Sequence, residues 1–512
     1  MAAKNIRGKY AFPLTFALLI LLHIILINAT RLFPFTDLPN HLAGATIHRY
    51  YGEAGNRFAE FFTVHLFPKP NVFHLVFCAL PFFPTVEFAN RIYLSLYAAG
   101  LPLSFLYLIR RFGGDRWFSL LAFPFLYNYS ASWGFVGFLF ALPLLLLSFA
   151  LMTDLFDRGG TGRMLLLALL LTSLFFVHAL AALFALLLFI VTVAARSRGN
   201  ILGVLKRLPP ALPLLLLFAA WSAEEPGWRE SLSAVGAYYA GDFIGTLPNR
   251  IHLFFIDNYH LFEGARGIAA ATVFSLLVLA AFLAAILTQA RRGGGARMGS
   301  PLILLLCALG CFLLLPAEIP GQTILHQRFA ALVLLSLALL GAVAAGARGT
   351  GGRTMAIPTV RAAVFTAAAL LHFLLWAEYF TSFDRENGRF GPCLFPSEGK
   401  WTLAGLIVDH TYRGRPSYIH FPSYYTVWRR GIATTSLVDY RFSNVRRRPG
   451  TEPLPAYSEW LGAGAAYNGR YEGADLLLVR GDPRGATALA LEGRALVRKA
   501  GEWRLYGVAG GD

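Results

Sequence analysis

"MLLLALLLTSLFFVHALAALFALLLFIVTVAA", residues 164–195, contains no Asp, Glu, Lys or Arg, and its one titratable group is His178. A helix needs about 20 mostly apolar residues to cross about 30 Å of hydrocarbon. This stretch is long enough to cross and return, as two spans, 163–178 and 179–195, that meet at His178 in an external hairpin. Similar runs recur along the chain, among them 11–27 and 267–290. Of 512 residues 56% are hydrophobic and 14% charged, and the mean hydropathy is +0.55. No soluble class has that composition, so the chain reads as an α-helical polytopic membrane protein. No A-x-A-like cleavage site follows the first apolar run, which is therefore expected to stay as a first helix.

The net charge of +17 is not a nucleic-acid footprint, because the cations fall in short bursts between apolar runs. Such bursts set membrane orientation. Lys4, Arg7 and Lys9; Arg110, Arg111 and Arg116; Arg158 and Arg163; Arg196, Arg198, Lys206 and Arg207; Arg291, Arg292 and Arg297; and Arg348 and Arg353 are all expected on the cytoplasmic side. This arrangement requires that 72–83, a short run holding His74 and Pro81, lie along or dip into the outer surface without crossing. About eleven spans then follow, at 10–28, 88–109, 116–129, 134–155, 163–178, 179–195, 208–222, 267–289, 300–316, 328–346 and 358–378. Residues 1–379 form the membrane domain, with external loops 29–87 and 223–266, and residues 380–512 a C-terminal extracytoplasmic α/β domain.

In that last domain "LAGLIVDH" (403–410), "PSYIHF" (416–421), "TTSLVDYRF" (434–442), "ADLLLVRG" (474–481) and "EWRLYGV" (502–508) are strand-like runs set apart by Gly, Pro and charge. It contains no phosphate-loop pattern and is assigned no chemistry. Cys78, Cys307, Cys311 and Cys393 are scattered singly and form no disulfide framework.

The polar exception to this apolar chain is "RLFPFTDLPNHLAGATIHRYYGEAG" (31–55). Asp37 precedes a helix-compatible run and supplies the oxygen that a helix start needs, so capping is its plain structural reading. A helix from about Pro39 also places His41 one turn after Asp37, with His48 about two turns further on the same face. Titratable groups gathered at a membrane boundary mark a functional site by default. His41 and His48 could hold a divalent metal ion with Asp37, although two imidazoles and one carboxylate are a sparse set for one, and no other cofactor is assigned.

Three stretches, "FTDLPNHLAGATIHRYY" (35–51), "FPKPNVFHLVFCALPFF" (67–83) and "VEFANRIYLSLYAAGLPLSFLYLIRRFGG" (86–114), resemble in order the N-terminal part of the GT-C superfamily of integral-membrane glycosyltransferases, its protein mannosyltransferase and aminoarabinose transferase group in particular. The matching residues are Asp37, Lys69 with Pro70, Arg91, and Arg110 with Arg111. "PAEIPGQTILHQRFAALVLLSLALL" (316–340) resembles the late external loop and helix of that superfamily. This chain departs in lacking a paired acid, since Leu38 follows Asp37, and in having no counterpart of a second acid, Asp115 falling on the cytoplasmic side.

The resemblance implies a bacterial inner-membrane enzyme that moves a sugar from a polyprenyl-phosphate-linked donor to a glycan, lipid or protein acceptor at the outer face. Asp37 would be the general base, with His41 beside it. Lys69, Arg328, His326 and Arg91 would hold the lipid phosphate. His48, His178, Asp242 and Glu224 would line the substrate cleft, expected to join Asp37, Lys69 and Arg328. Each has a plainer reading. Lys69 suits a snorkelling lysine, His178 a structural histidine, and the acids and rings of 223–266 an interfacial aromatic belt. The rival classes are a transporter or flippase of a lipid-linked saccharide and a non-catalytic partner in glycan export. Transporters show internal repeats and interrupted helices in matching halves, and no such repeat is visible here.

Overall fold

The computed structural model describes residues 2–509 except 198–200, 226, 241–242, 259–263, 292–297, 347–355, 398, 434–442 and 452–472. The chain divides into two compact units. The first holds residues 1–29, 94–131 and 137–377, and the second 30–93, 132–136 and 378–512.

Among the described residues seven helices are long and apolar enough to cross a membrane: Tyr10–Ala29, Val86–Arg111, Val136–Arg158, Ala179–Ser197, Ala265–Leu287, His326–Gly346 and Val360–Glu386. Thr161–Val177 and Gly299–Leu314 are shorter apolar helices. The protein is thus a polytopic membrane protein, but the expected count of about eleven spans relies on segments shorter than a full crossing. Burial ranks the long helices. His326–Gly346 is 83% buried and from Ala330 onward apolar all round, as a central helix must be, whereas Ala265–Leu287 is only 28% buried and keeps Val273, Leu276, Leu283 and Leu287 exposed.

Two expected elements of the first unit differ. Residues 116–129 do not form an α-helical span; Arg116–Phe125 is a 3-10 helix of 10 residues, about 20 Å long at about 2 Å per residue. Residues 118–125 are wholly buried, which is where non-α backbone is tolerated at membrane depth. Asp115 starts this helix, accepting from the Trp117 amide at 3.1 Å and pairing with Arg361 Nη1 at 2.8 Å. The stretch 223–266, read as a loop, contains two helices, Trp228–Ala240 and Phe243–Asp257, whose recurring aromatic and aliphatic residues follow a helical period.

The second unit is mixed. Helix Leu38–Arg49 packs against the 7-residue helix Phe73–Ala79, which at about 1.5 Å per residue is too short to cross a bilayer. Strands β1 (Phe62–Val64), β2 (Thr402–Ile407), β3 (Ile432–Ala433), β4 (Val445–Arg447), β5 (Leu476–Arg480), β6 (Arg494–Ala500) and β7 (Trp503–Val508) complete it. β1 pairs with β4, and the rest form a five-stranded sheet in the order β3-β2-β5-β7-β6. β2 is parallel to β3 and β5, while β7 is antiparallel to β5 and β6. β2 and β5 are buried throughout, and so they read in the sequence as unbroken apolar runs.

The expected strand 416–421 is absent. Pro422, which cannot donate to a sheet ladder, follows it, and the chain there makes turns, the 3-10 helix Phe421–Ser423 and the helix Tyr424–Arg429. These form the crossover from β2 to β3. The expected strand 434–442 lies outside the described residues. β6 went unread because Arg494, Arg498 and Lys499 break its apolar pattern at the exposed sheet edge.

Candidate active site

Residues 30–37 are fixed by both flanks within the second unit. Arg31 donates from Nη1 to the Phe390 carbonyl and from Nη2 to the Asn387 carbonyl, each at 2.6 Å, and the Asp384 carboxylate accepts from the Arg31 and Leu32 amides. The Thr36 and Asp37 amides donate to the carbonyls of Ser132 and Trp133 at 3.1 and 2.9 Å. That close approach requires a glycine at position 134. Gly134 has φ +80°, and a Cβ there would stand 2.9 Å from the amide nitrogens of both Asp37 and Leu38.

Asp37 occupies the N-cap position of helix Leu38–Arg49, yet its side chain makes no capping hydrogen bond. Its Oδ1 lies 3.3 Å from Nε2 of His420, the residue that opens the 3-10 helix of the crossover. His420 is 1% exposed and the Asp37 side chain 18%. The other carboxylate oxygen has no protein partner among the described residues.

His41 stands one turn along the helix and feels the charges of both Asp37 and His420. Burial is the largest influence on it and lowers its pKa below the ordinary imidazole value, with Asp37 opposing. Its ring meets that of His74 edge to face, centroids 5.7 Å apart. His74 is buried, and its Nε2 lies 2.9 Å from Asn90 Oδ1. Burial pushes the His74 pKa down to about 3, so the ring is neutral and donates to Asn90. A further buried pair, Ser423 Oγ donating to Asn40 Oδ1 at 2.7 Å, ties the crossover to the helix that Asp37 precedes.

The remaining sequence-predicted residues of this unit are placed as follows. Among the described residues, no hydrogen bond or ion pair joins His48 to the group; it is half-buried, and burial lowers its pKa. Lys69 is 6% exposed in the turn whose Leu66 carbonyl accepts its amide. Arg91 sits one helical turn after Glu87, near Tyr424, and its buried Nε has no hydrogen-bond partner among the described residues. Glu87 accepts from Trp428 Nε1 at 2.8 Å.

The other candidates belong to the first unit. The structure brings His178 and Arg328 together, Nη1 of Arg328 lying 3.1 Å from His178 Nε2. Arg328 also donates to the carbonyls of Ile324 and Thr323 at 2.9 and 3.0 Å, so it anchors the loop before its own helix, where Ile324 takes φ +57°. His326 is buried against Phe312. Glu224 is exposed at the end of helix Leu212–Glu224, and Asp242 lies outside the described residues. Among the described residues no three His, Cys, Asp or Glu side chains gather closely enough to hold a metal ion.

Sequence reasoning missed His420, Asn40, Asn90 and Arg250. The last is 3% exposed and donates to the Phe312 and Leu313 carbonyls at 3.0 and 3.3 Å, at the C-terminal end of helix Gly299–Leu314. One signal was available for His420. It stands in "HFPSYY", where Pro two positions on argues against a strand and for a turn able to present a side chain.

No family model and no curated protein matches the chain. Among solved structures, the crystal structure of ArnT from Cupriavidus metallidurans in the apo state is similar to it over 98% of each chain, with 12% identical residues and a TM-score of 0.49, a similarity too distant to support any inference.

Proposed function

We propose that this protein is a membrane glycosyltransferase that moves a sugar from a polyprenyl-phosphate-linked donor to a hydroxyl of a glycan, lipid or protein acceptor at the outer membrane surface, with Asp37 as general base. The observation that carries this reading is the Asp37 carboxylate, which stands at a helix start without capping it and, among the described residues, keeps one oxygen clear of protein partners. The order of Asp37, Lys69, Arg91 and the Arg110–Arg111 pair, with its resemblance to the GT-C superfamily, supports the same reading.

The acceptor oxygen forms a bond to the anomeric carbon as the bond from that carbon to the phosphate oxygen breaks. The acceptor proton passes to Asp37, and the electron pair leaves with the phosphate. Negative charge on the departing phosphate calls for cations at the membrane surface, the role given to Lys69 and Arg328, with Arg91 and His326 in support. His48, His178, Glu224 and Asp242 are assigned to substrate contact. No step requires a metal ion.

The test is transfer by the purified chain in liposomes, from a panel of polyprenyl-phosphate sugars, read as release of the polyprenyl phosphate. Asp37→Asn should lower kcat by about 10²–10⁴-fold, the span of general acid–base catalysis. Wild-type-like turnover by Asp37→Asn would remove the reading.

A further inference from the structure

We infer that His420, supplied by the β2–β3 crossover, is a positioning residue that fixes the Asp37 carboxylate for proton transfer, so that the C-terminal segment completes the catalytic group.

This inference rests on the proposed role of Asp37. A carboxylate at an N-cap ordinarily turns back to the first-turn amides, and that of Asp37 does not. The group it meets instead is an imidazole 1% exposed, presented by a turn that cannot slide. The Phe421 amide donates to the Tyr418 carbonyl at 3.0 Å, the Ser423 amide to the His420 carbonyl at 3.0 Å, and the Ser423 hydroxyl to Asn40 on the helix that Asp37 opens. Ser417 Oγ reaches the Pro34 carbonyl at 3.4 Å, tying the same crossover to the strand of chain that leads into Asp37.

On this inference a proton of His420 sits on Nε2, 3.3 Å from Oδ1, where it limits rotation of the carboxylate and orients the second oxygen. A base must lie within hydrogen-bond reach of the proton it takes, and misplacement by about 1 Å can cost about 10²-fold in rate. The titratable groups facing Asp37 are His420 and, from its own helix, His41. His41 is joined to its helix by the ordinary backbone bond to the Asp37 carbonyl, so the side-chain contact of Asp37 comes from His420.

The experiment compares His420→Gln, whose amide nitrogen reaches about as far as Nε2, with His420→Leu, which fills the space without a donor. Both are made in the full chain, and folding is checked by thermal melting in detergent. The Leu variant should lose about 10–10²-fold in kcat with little change in KM for the donor. The Gln variant should recover most of the rate. In an Asp37→Asn background, His420→Leu should cost nothing further. If Leu prevents folding, Asn, whose donor stops short of the carboxylate, replaces it with the same expected order. Folded Gln and Leu variants with equal kcat would overturn the inference, as would a further loss in the Asp37→Asn background. Full activity of Asp37→Asn itself would instead defeat the proposed function, so the two failures are separable.

Discussion

At Asp37, position and side chain part. Its position before "LPNHLAG" is that of a cap, and the helix does begin there, but the carboxylate makes no capping bond and lies 3.3 Å from His420 Nε2. What the sequence made legible was local. Asp37 and His41 one turn apart follow from 3.6 residues per turn, whereas the partner of Asp37 lies hundreds of positions away in a turn that no local period reveals. Gly134 tests the backbone side of this arrangement. At φ +80° with no room for a Cβ, Gly134→Ala costs roughly 1–2 kcal/mol from conformation alone. It also pushes on the Asp37 amide, so transfer should fall by more than thermal stability alone explains, as read by kcat beside the melting temperature. Lys69 belongs to the other half of the proposed chemistry. Lys69→Ala should raise KM for the lipid-linked donor and leave kcat within a few fold, because it removes capture of an anion and not the base; an unchanged KM with a collapsed kcat would contradict that role.

Among the elements, the apolar α-helices were legible at both lengths, Thr161–Val177 and Gly299–Leu314 matching the expected 163–178 and 300–316, whereas the backbone of 116–129 was not, because an apolar run does not distinguish an α-span from a buried 3-10 helix such as Arg116–Phe125. The helix Gly299–Leu314 shows how an element that stops early is made tolerable. Its last carbonyls have no partners of their own, and Arg250 takes those of Phe312 and Leu313 while Tyr239 donates to that of Leu314 at 2.6 Å. Arg250→Met should therefore leave buried carbonyls unsatisfied and cost about 1–3 kcal/mol, seen as a lower melting temperature in detergent. The helices of the second unit predict a pH effect. The folded-state pKa values of His41, His48 and His74 are all lowered by burial, that of His74 to about 3. Above about pH 6.5 both folded and unfolded imidazoles are neutral and nothing is lost. As pH falls below that value the unfolded chain gains protons first, so stability declines from about 6.5 down toward the folded pKa values. His74→Gln, which keeps a donor for Asn90, should flatten that decline in a melting series; an equally steep decline would show that other groups set it.

At the scale of the whole molecule, orientation is the property that the charge bursts were used to infer, and the first unit supplies an independent geometric argument about which bursts share a side. Arg111 pairs with Asp154 and Asp157 at 2.6 Å each, Arg196 pairs with Asp157 at 3.2 Å and donates to Ser300 Oγ at 2.7 Å, and Arg158 approaches Asp154 at 3.9 Å. These residues end helices Val86–Arg111, Val136–Arg158 and Ala179–Ser197 and begin Gly299–Leu314, so the four helix ends lie at one face of that unit whatever the number of crossings between them. An even number of crossings must separate each from the next, as the positive-inside rule requires if all are cytoplasmic. The exposed neighbour Arg110 reports on this face without disturbing the ion pairs. A cysteine at 110, in a chain freed of its own four cysteines, should be labelled by a membrane-impermeant thiol reagent only after the membrane is opened, and so should one at Arg158, which is 63% exposed. Both labelling from outside intact cells would invert the orientation, and the two labelling from opposite sides would contradict the ion-pair network itself. With that face inside, helix Thr161–Val177 runs outward and His178 turns the chain at its outer end, where Arg328 meets it.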